Sequence, residues 1–149
     1  MTHEEQQEIF DAIMTRSAAP GTFSPYTGVY LTALSDGGAE AELVLAPHHM
    51  NPMGIVHGGV YCTLMDHVAG AAACTRGSRC LTVDCETRFI GVPAGDKLCG
   101  HARAVRMGRT IVVMRAWVTD SADTLCAEGT YTFRMKEGFP KESATTLPR

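Results

Sequence analysis

The segment Asn51-Pro-Met-Gly-Ile-Val-His57-Gly58-Gly59, followed seven residues later by Asp66, concentrates the polar chemistry of this chain. The loop is rich in chain breakers and ends at His-Gly-Gly. It runs directly into Val60-Tyr-Cys-Thr-Leu-Met, which reads as a helix. Backbone N–H groups at that helix start are placed where anions and polarised oxygens are favoured. Asp66 is a single carboxylate two turns into an otherwise uncharged helix. Burying an unpaired carboxylate is costly, so a helix that served only the core has little reason to carry one.

The surrounding elements follow from periodicity. Residues 3–15 place Ile9, Phe10, Ala12, Ile13 and Met14 in a helical pattern. Thr2 and Glu5 have the spacing of a capping box, which predicts a short N-terminal helix broken by Ala18-Ala-Pro20-Gly21. Val29, Leu31 and Ala33 alternate with Tyr30 and Thr32, Ser35-Asp-Gly-Gly38 reads as a hairpin turn, and Ala39 to Leu45 form a second alternating strand. A helix over about 57–75 follows the loop. Tyr61, Leu64, Met65, Val68 and Ala72 make its apolar face, while Asp66 falls on the other face with Gly59, Cys62, Thr63, Gly70 and Ala73. Those residues are small, which lets a ligand or another backbone approach.

Four strands come next. In the first, Leu81, Val83, Cys85 and Phe89 alternate with Thr82, Asp84, Glu86 and Arg88. Residues 97–107 and 110–119 are joined by a hairpin at Met107-Gly108-Arg109, and the last strand starts at Leu125. One long helix between two early strands and four later antiparallel ones is an α+β layout.

Length and composition narrow the function classes. The 149 residues read as one domain, with an N-terminal helix and loop over 1–22 and a loosely ordered tail over 137–149. Hydrophobic content of 45% with 19% charged residues is that of a globular chain. A net charge of −3 without a basic run argues against nucleic acid as a partner. No stretch is apolar enough to span a membrane, and the N-terminus lacks the layout of a signal peptide, so a cytoplasmic protein is expected. The six cysteines form no CxxC pair and read as free thiols in a reducing compartment. His48, His49 and His57 lack a nearby carboxylate or cysteine to complete a metal site, so no metal or cofactor is expected.

A sheet that must cover one largely apolar helix curls around it, which is the hotdog shape. The chain resembles the PaaI-type acyl-CoA thioesterases of the hotdog superfamily. The resemblance is carried by Asn51, Gly54, His57-Gly58-Gly59, Leu64, Asp66 and Gly70. It continues through Leu81-Thr82-Val83-Asp84 to Phe89, Pro93 and Gly95-Asp96, and covers roughly residues 25–136. It implies a long central helix wrapped by a curved antiparallel sheet of five to six strands. It also implies hydrolysis of an acyl- or aryl-acyl-CoA to free acid and CoA, and dimers commonly paired into tetramers. Thr82 matches the family's second polar group by resemblance alone.

Thioester hydrolysis gives these residues roles. The Gly58 N–H at the helix start can donate to the thioester oxygen with help from the helix dipole, and one such donor is typically worth roughly 3–4 kcal/mol of barrier. Asp66 serves as general base or nucleophile. Asn51 orients water, and His57 fixes the loop or hydrogen-bonds the carbonyl. Gly59, Tyr61, Met65 and strand residues near Phe89 are expected to line the pocket. Arg106 and Arg109, flanking a hairpin, are candidates to grip CoA phosphates.

Gly58 and Asp66 are eight residues apart on one helix, about 12 Å at a rise of roughly 1.5 Å per residue. An aspartate side chain cannot close that gap. If both act on one thioester, Asp66 comes from a second subunit across a two-fold axis.

Blander readings compete. Gly58 and Gly59 would also suit tight packing of the helix start, and Asp66 would also suit a structural acid bonded to Thr63 or a backbone group. Two other functions stand beside hydrolysis. A hotdog hydratase or dehydratase would carry an HxxxxPxxPG-like spacing, which is absent here. A non-catalytic acyl-CoA binding module would keep the pocket and lose Asp66.

Overall fold

The computed structural model describes residues 1–138, and all but the first two residues of the tail expected at 137–149 lie outside it. The elements run α1 (His3–Ser17), α2 (Phe23–Thr27), β1 (Val29–Ser35), β2 (Gly38–Val44), α3 (Gly58–Ala73), β3 (Arg79–Phe89), β4 (Lys97–Met107), β5 (Ile111–Asp120) and β6 (Leu125–Lys136), with a 3₁₀ turn at Pro47–His49.

Thr2 and Glu5 make the expected capping box, Thr2 Oγ1 accepting from Glu5 N–H and Glu5 Oε2 accepting from Thr2 N–H. The β1–β2 hairpin turns at Asp36-Gly37, where Gly37 takes φ +68°, a conformation that favours glycine. Periodicity gives no sign of α2 or the 3₁₀ turn, because elements of five and three residues span fewer than two turns and cannot repeat a face.

The six strands form one antiparallel sheet in the order β1-β2-β4-β5-β6-β3. The sheet wraps α3, which packs chiefly on β2, β4 and β5; this is the hotdog arrangement. Leu64, Met65, Val68 and Ala72 are fully buried against Leu43, Leu98, Met114 and Phe133. Gly100 on β4 permits the close approach: a Cβ there would lie 2.8 Å from Leu64. Burying such side chains stabilises by about 1.5–3 kcal/mol each.

β3 differs from its expected alternation. Thr82 pairs with Phe133 and Asp84 with Thr132, so Val83 is an extra, bulged residue. A one-residue slip exchanges the two faces of a strand. The bulge therefore puts Thr82 on the same face as Cys85, Thr87 and Phe89, facing α3, where strict alternation would have separated them. β3 is also an edge of the sheet, with Leu81 and Val83 more than half exposed.

Candidate active site

His57 caps α3. Its Nδ1 accepts the Gly59 N–H at 2.8 Å. Gly59 is thereby committed as a donor, while the Gly58 N–H has no acceptor among the described residues. Of the two glycines, only Gly58 presents a free N–H at the positive end of the helix. The Phe89 ring lies over it, close enough that a Cβ on Gly58 would sit 3.3 Å away.

Asn51 shapes the loop that precedes the helix. Its Oδ1 accepts from Met53 N–H at 2.9 Å and Ile55 N–H at 3.2 Å, and its backbone carbonyl accepts from Gly54 N–H. With two donors on its oxygen, the Asn51 amide group turns its NH₂ outward as a donor. Asn51, Gly58, Tyr61 and Phe89 line one cavity of about 360 Å³. Burial pushes the Tyr61 hydroxyl up to about 12, so it remains a neutral phenol there.

Asp66 is half-buried midway along α3, and burial holds its carboxyl above the ordinary aspartate value. Thr82 Oγ1 donates to Asp66 Oδ1 at 2.9 Å, which pulls in the opposite direction and favours the carboxylate. A desolvated carboxylate held by one donor and retaining a free oxygen is a competent base. Asp66 and Thr82 line a second cavity, of about 400 Å³, together with Ile13, Ser17, Gly70 and Phe133. None of Asn51, Gly58 or Tyr61 contributes to it.

A free helix-start donor and a desolvated carboxylate suit acyl transfer, and the comparisons agree. The thioesterase superfamily model matches residues 53–127, from the middle of the Asn51 loop into β6. The chain belongs to the thioesterase superfamily. Human acyl-coenzyme A thioesterase 13 is 28% identical over 109 residues, which cover 70% of this chain and 77% of the relative. A conserved protein of Pseudomonas aeruginosa is 31% identical, with a TM-score of 0.76 over 82% of this chain and 99% of that one. PaaI of E. coli, from the phenylacetic acid degradation operon, superposes with a TM-score of 0.80 over 91% of this chain and 96% of that one; at 18% identity it shows the fold alone.

Three expected pocket residues of this thioesterase lie elsewhere. Met65 is fully buried in the core and lines neither cavity, because its position in α3 points it at the sheet. Arg106 and Arg109 line a separate cavity with Gly108 and Ile111. Their hairpin neighbours the C-terminal end of α3, where Met107 and Arg109 share a cavity with Ala73 and Arg76. α3 spans 16 residues, so Gly58 is roughly 24 Å from that end. Neither arginine lines the Gly58 or the Asp66 cavity.

His49 and His57 are likewise committed to structure. His49 is buried, with Ala46 N–H donating to Nδ1 and Nε2–H donating to the Thr27 carbonyl. It has no ring nitrogen to offer a metal, and no group of three or more candidate ligands is gathered among the described residues.

Sequence reading missed His67. It follows Asp66, and like Asp66 it is a polar residue on a largely apolar helix. The reasoning that singled out the acid, that such a side chain needs a partner or a purpose, applies to it equally. Its ring lines the Asp66 cavity.

Proposed function

We propose that this thioesterase hydrolyses acyl-CoA at a site shared between two copies of the chain. The observation that carries the reading is the division of the expected catalytic groups: Gly58 and Asn51 line one cavity, Asp66 and Thr82 another. A two-fold axis that sets two copies of α3 antiparallel brings the Gly58 cavity of one against the Asp66 cavity of the other and makes two equivalent sites. The long β3 edge, with exposed Leu81 and Val83, supports such a pairing, since an uncovered apolar edge invites association. Pairing of dimers into a tetramer is part of the proposal.

In each site the thioester oxygen points at the Gly58 N–H of one copy. The Asp66 carboxylate of the other takes a proton from water as the water oxygen attacks the carbonyl carbon. The resulting oxyanion is held by the Gly58 N–H and the positive end of α3. Asn51 NH₂ donates to the attacking water or to the carbonyl. The intermediate collapses by breaking the carbon–sulfur bond, and the proton taken by Asp66 leaves on the CoA thiolate. Gly59 acts through His57, which fixes the first turn so that Gly58 keeps its aim.

The free thiols of all six cysteines suit a reducing, cytoplasmic setting. No helix among the described residues is long and apolar enough to cross a membrane.

The experiment is thiol release from a panel of aryl and fatty acyl-CoAs. The proposal expects release from at least one, unaffected by EDTA. No release above buffer across the panel would refute hydrolysis, and strong inhibition by EDTA would point to a metal-dependent site.

A further inference from the structure

α3 and β3 run antiparallel along one seam, and the side chains that meet across it form a ladder. Phe89 covers Gly58, Thr82 Oγ1 donates to Asp66, and Cys80 Sγ lies 3.6 Å from the Gly70 carbonyl. Asp66, Gly70 and Cys74 follow at four-residue intervals, which keeps them on one face of the helix. The last rung is a pair of thiols. Cys74 caps the C-terminal end of α3, and its Sγ lies 3.5 Å from Sγ of Cys80 on β3. Among the described residues no other two cysteine sulfurs are in contact.

The turn between the two cysteines holds them there. Thr75 is fully buried. Its Oγ1 donates to the Ala72 carbonyl at 2.8 Å and accepts the Gly37 N–H at 2.9 Å, and its carbonyl accepts from Gln6 Nε2 at 2.7 Å. Gly77 takes φ +84°, and its N–H donates to the Cys74 carbonyl at 2.9 Å, which turns the chain back into β3. A thiol pair set by a fixed turn reacts without a search to bring the partners together. The sulfurs need to close by about 1.5 Å to reach a disulfide bond length of about 2.05 Å. That is less than a thiol moves between rotamers.

Both cysteines are half-buried and line the open cavity beside Asp66, which admits a molecule as small as hydrogen peroxide. The two thiols are not equivalent. The Cys80 S–H lowers the Cys74 pKa against the effect of burial, while the Cys74 sulfur, burial and the Asp66 carboxylate all push Cys80 up. The thiolate, which is the reactive form, therefore belongs to Cys74.

We propose that Cys74 and Cys80 are an oxidisable dithiol: a peroxide oxidises Cys74, Cys80 resolves it, and the disulfide ties the C-terminal end of α3 to the β3 edge. The Cys74 thiolate attacks one peroxide oxygen. The S–O bond forms as the O–O bond breaks, giving a sulfenic acid and hydroxide, which takes up the proton that Cys74 released. The Cys80 sulfur then attacks Cys74 Sγ. The S–S bond forms, the S–O bond breaks, and the Cys80 proton leaves with the departing hydroxide as water. Two thiols lose two electrons to give one disulfide, and hydrogen peroxide gains them to give two waters. In a reducing compartment a disulfide of this kind is transient and redox-sensing. The pair sits on the seam that carries the proposed base, and the assignment holds whether or not the chain hydrolyses thioesters.

The test treats the folded, reduced chain with one equivalent of hydrogen peroxide, alkylates the remaining thiols, and reads the intact mass and a non-reducing tryptic map. Wild type should lose two hydrogens per chain and keep four of its six thiols. Trypsin cuts between the pair at Arg76 and Arg79, so the map should show two joined peptides, one holding Cys74 and one Cys80. Dithiothreitol should restore all six thiols. Cys80→Ser should leave a sulfenic acid on Cys74 that dimedone labels, and Cys74→Ser should label Cys80 about tenfold more slowly. Oxidation driven by exposure alone would strike Cys85, the exposed cysteine, and leave the pair reduced. That result, a bond between any other two cysteines, or a bond between chains would overturn the dithiol. Faster labelling of Cys80 than of Cys74 would overturn the order of attack. The wild-type map decides the bond even where a serine variant fails to fold.

Discussion

Thr82 on β3 donates a hydrogen bond to Asp66 on α3 because the bulge at Val83 turns Thr82 inward. The bond opposes the desolvation that raises the Asp66 pKa. Thr82→Val should therefore raise the apparent pKa seen in the acid limb of the kcat/KM profile and lower kcat by about five- to tenfold, the scale of one hydrogen bond to a charged group in a partly solvated site. A pH–rate profile for both proteins checks this.

The wild-type acid limb itself should lie above the ordinary aspartate value of 3.8, since burial raises the Asp66 pKa and the base works only when deprotonated. Activity is present above that apparent pKa and lost as pH falls through it. Asp66→Asn should lower kcat by at least about a hundredfold at neutral pH.

The same substitution should stabilise the fold. A carboxyl whose folded pKa is raised contributes most stability below its unfolded pKa and loses that contribution as pH rises through the folded one. At pH 7 the native chain holds a partly desolvated charge, which asparagine removes while still accepting from Thr82. Asp66→Asn should raise Tm by about 1–2 °C, a small gain because Asp66 keeps much of its hydration. An unchanged or lower Tm in a scanning calorimeter would count against a desolvated charge.

His67 has the opposite sign. Its folded pKa lies below the unfolded one, so the unfolded chain binds the proton more readily and stability is lost as pH falls from about 6.5 toward the folded value. Asp66, Arg16 and Arg79 share its cavity, and Ser17 and Ser24 hold its ring. Denaturation midpoints measured from pH 7.5 to 5 should fall less in His67→Gln than in wild type.

Much of this was legible in the sequence, for local reasons. The i, i+3, i+4 spacing of Tyr61, Leu64, Met65 and Val68 marks the core face of α3, and the breakers before Gly58 mark its start. The capping box at Thr2 and the Asp36-Gly37 turn are likewise local signals. What was not legible depends on tertiary placement. The bulge at Val83 has no local signature, yet it decides which face Thr82 occupies. The distance of Arg106 and Arg109 from Gly58 follows from where the β4–β5 hairpin falls along α3. The bonds from His67 to Ser24 and Ser17 join residues 43 and 50 positions apart.

The division of Gly58 and Asp66 between two copies is tested most directly by mixing two inactive variants. One is Asp66→Ala. The other is Gly58→Pro, which removes the donating N–H. Proline suits the first position of a helix, and His57 already holds the extended backbone that a following proline requires, although the Phe89 ring must yield slightly. Each variant is first shown to be folded and dimeric. After co-refolding in equal amounts, about half the dimers are mixed, each with one intact site and one doubly damaged site. A shared site predicts recovery of roughly a quarter of wild-type activity. Folded mixed dimers with no recovery would contradict it and place the whole site within one chain.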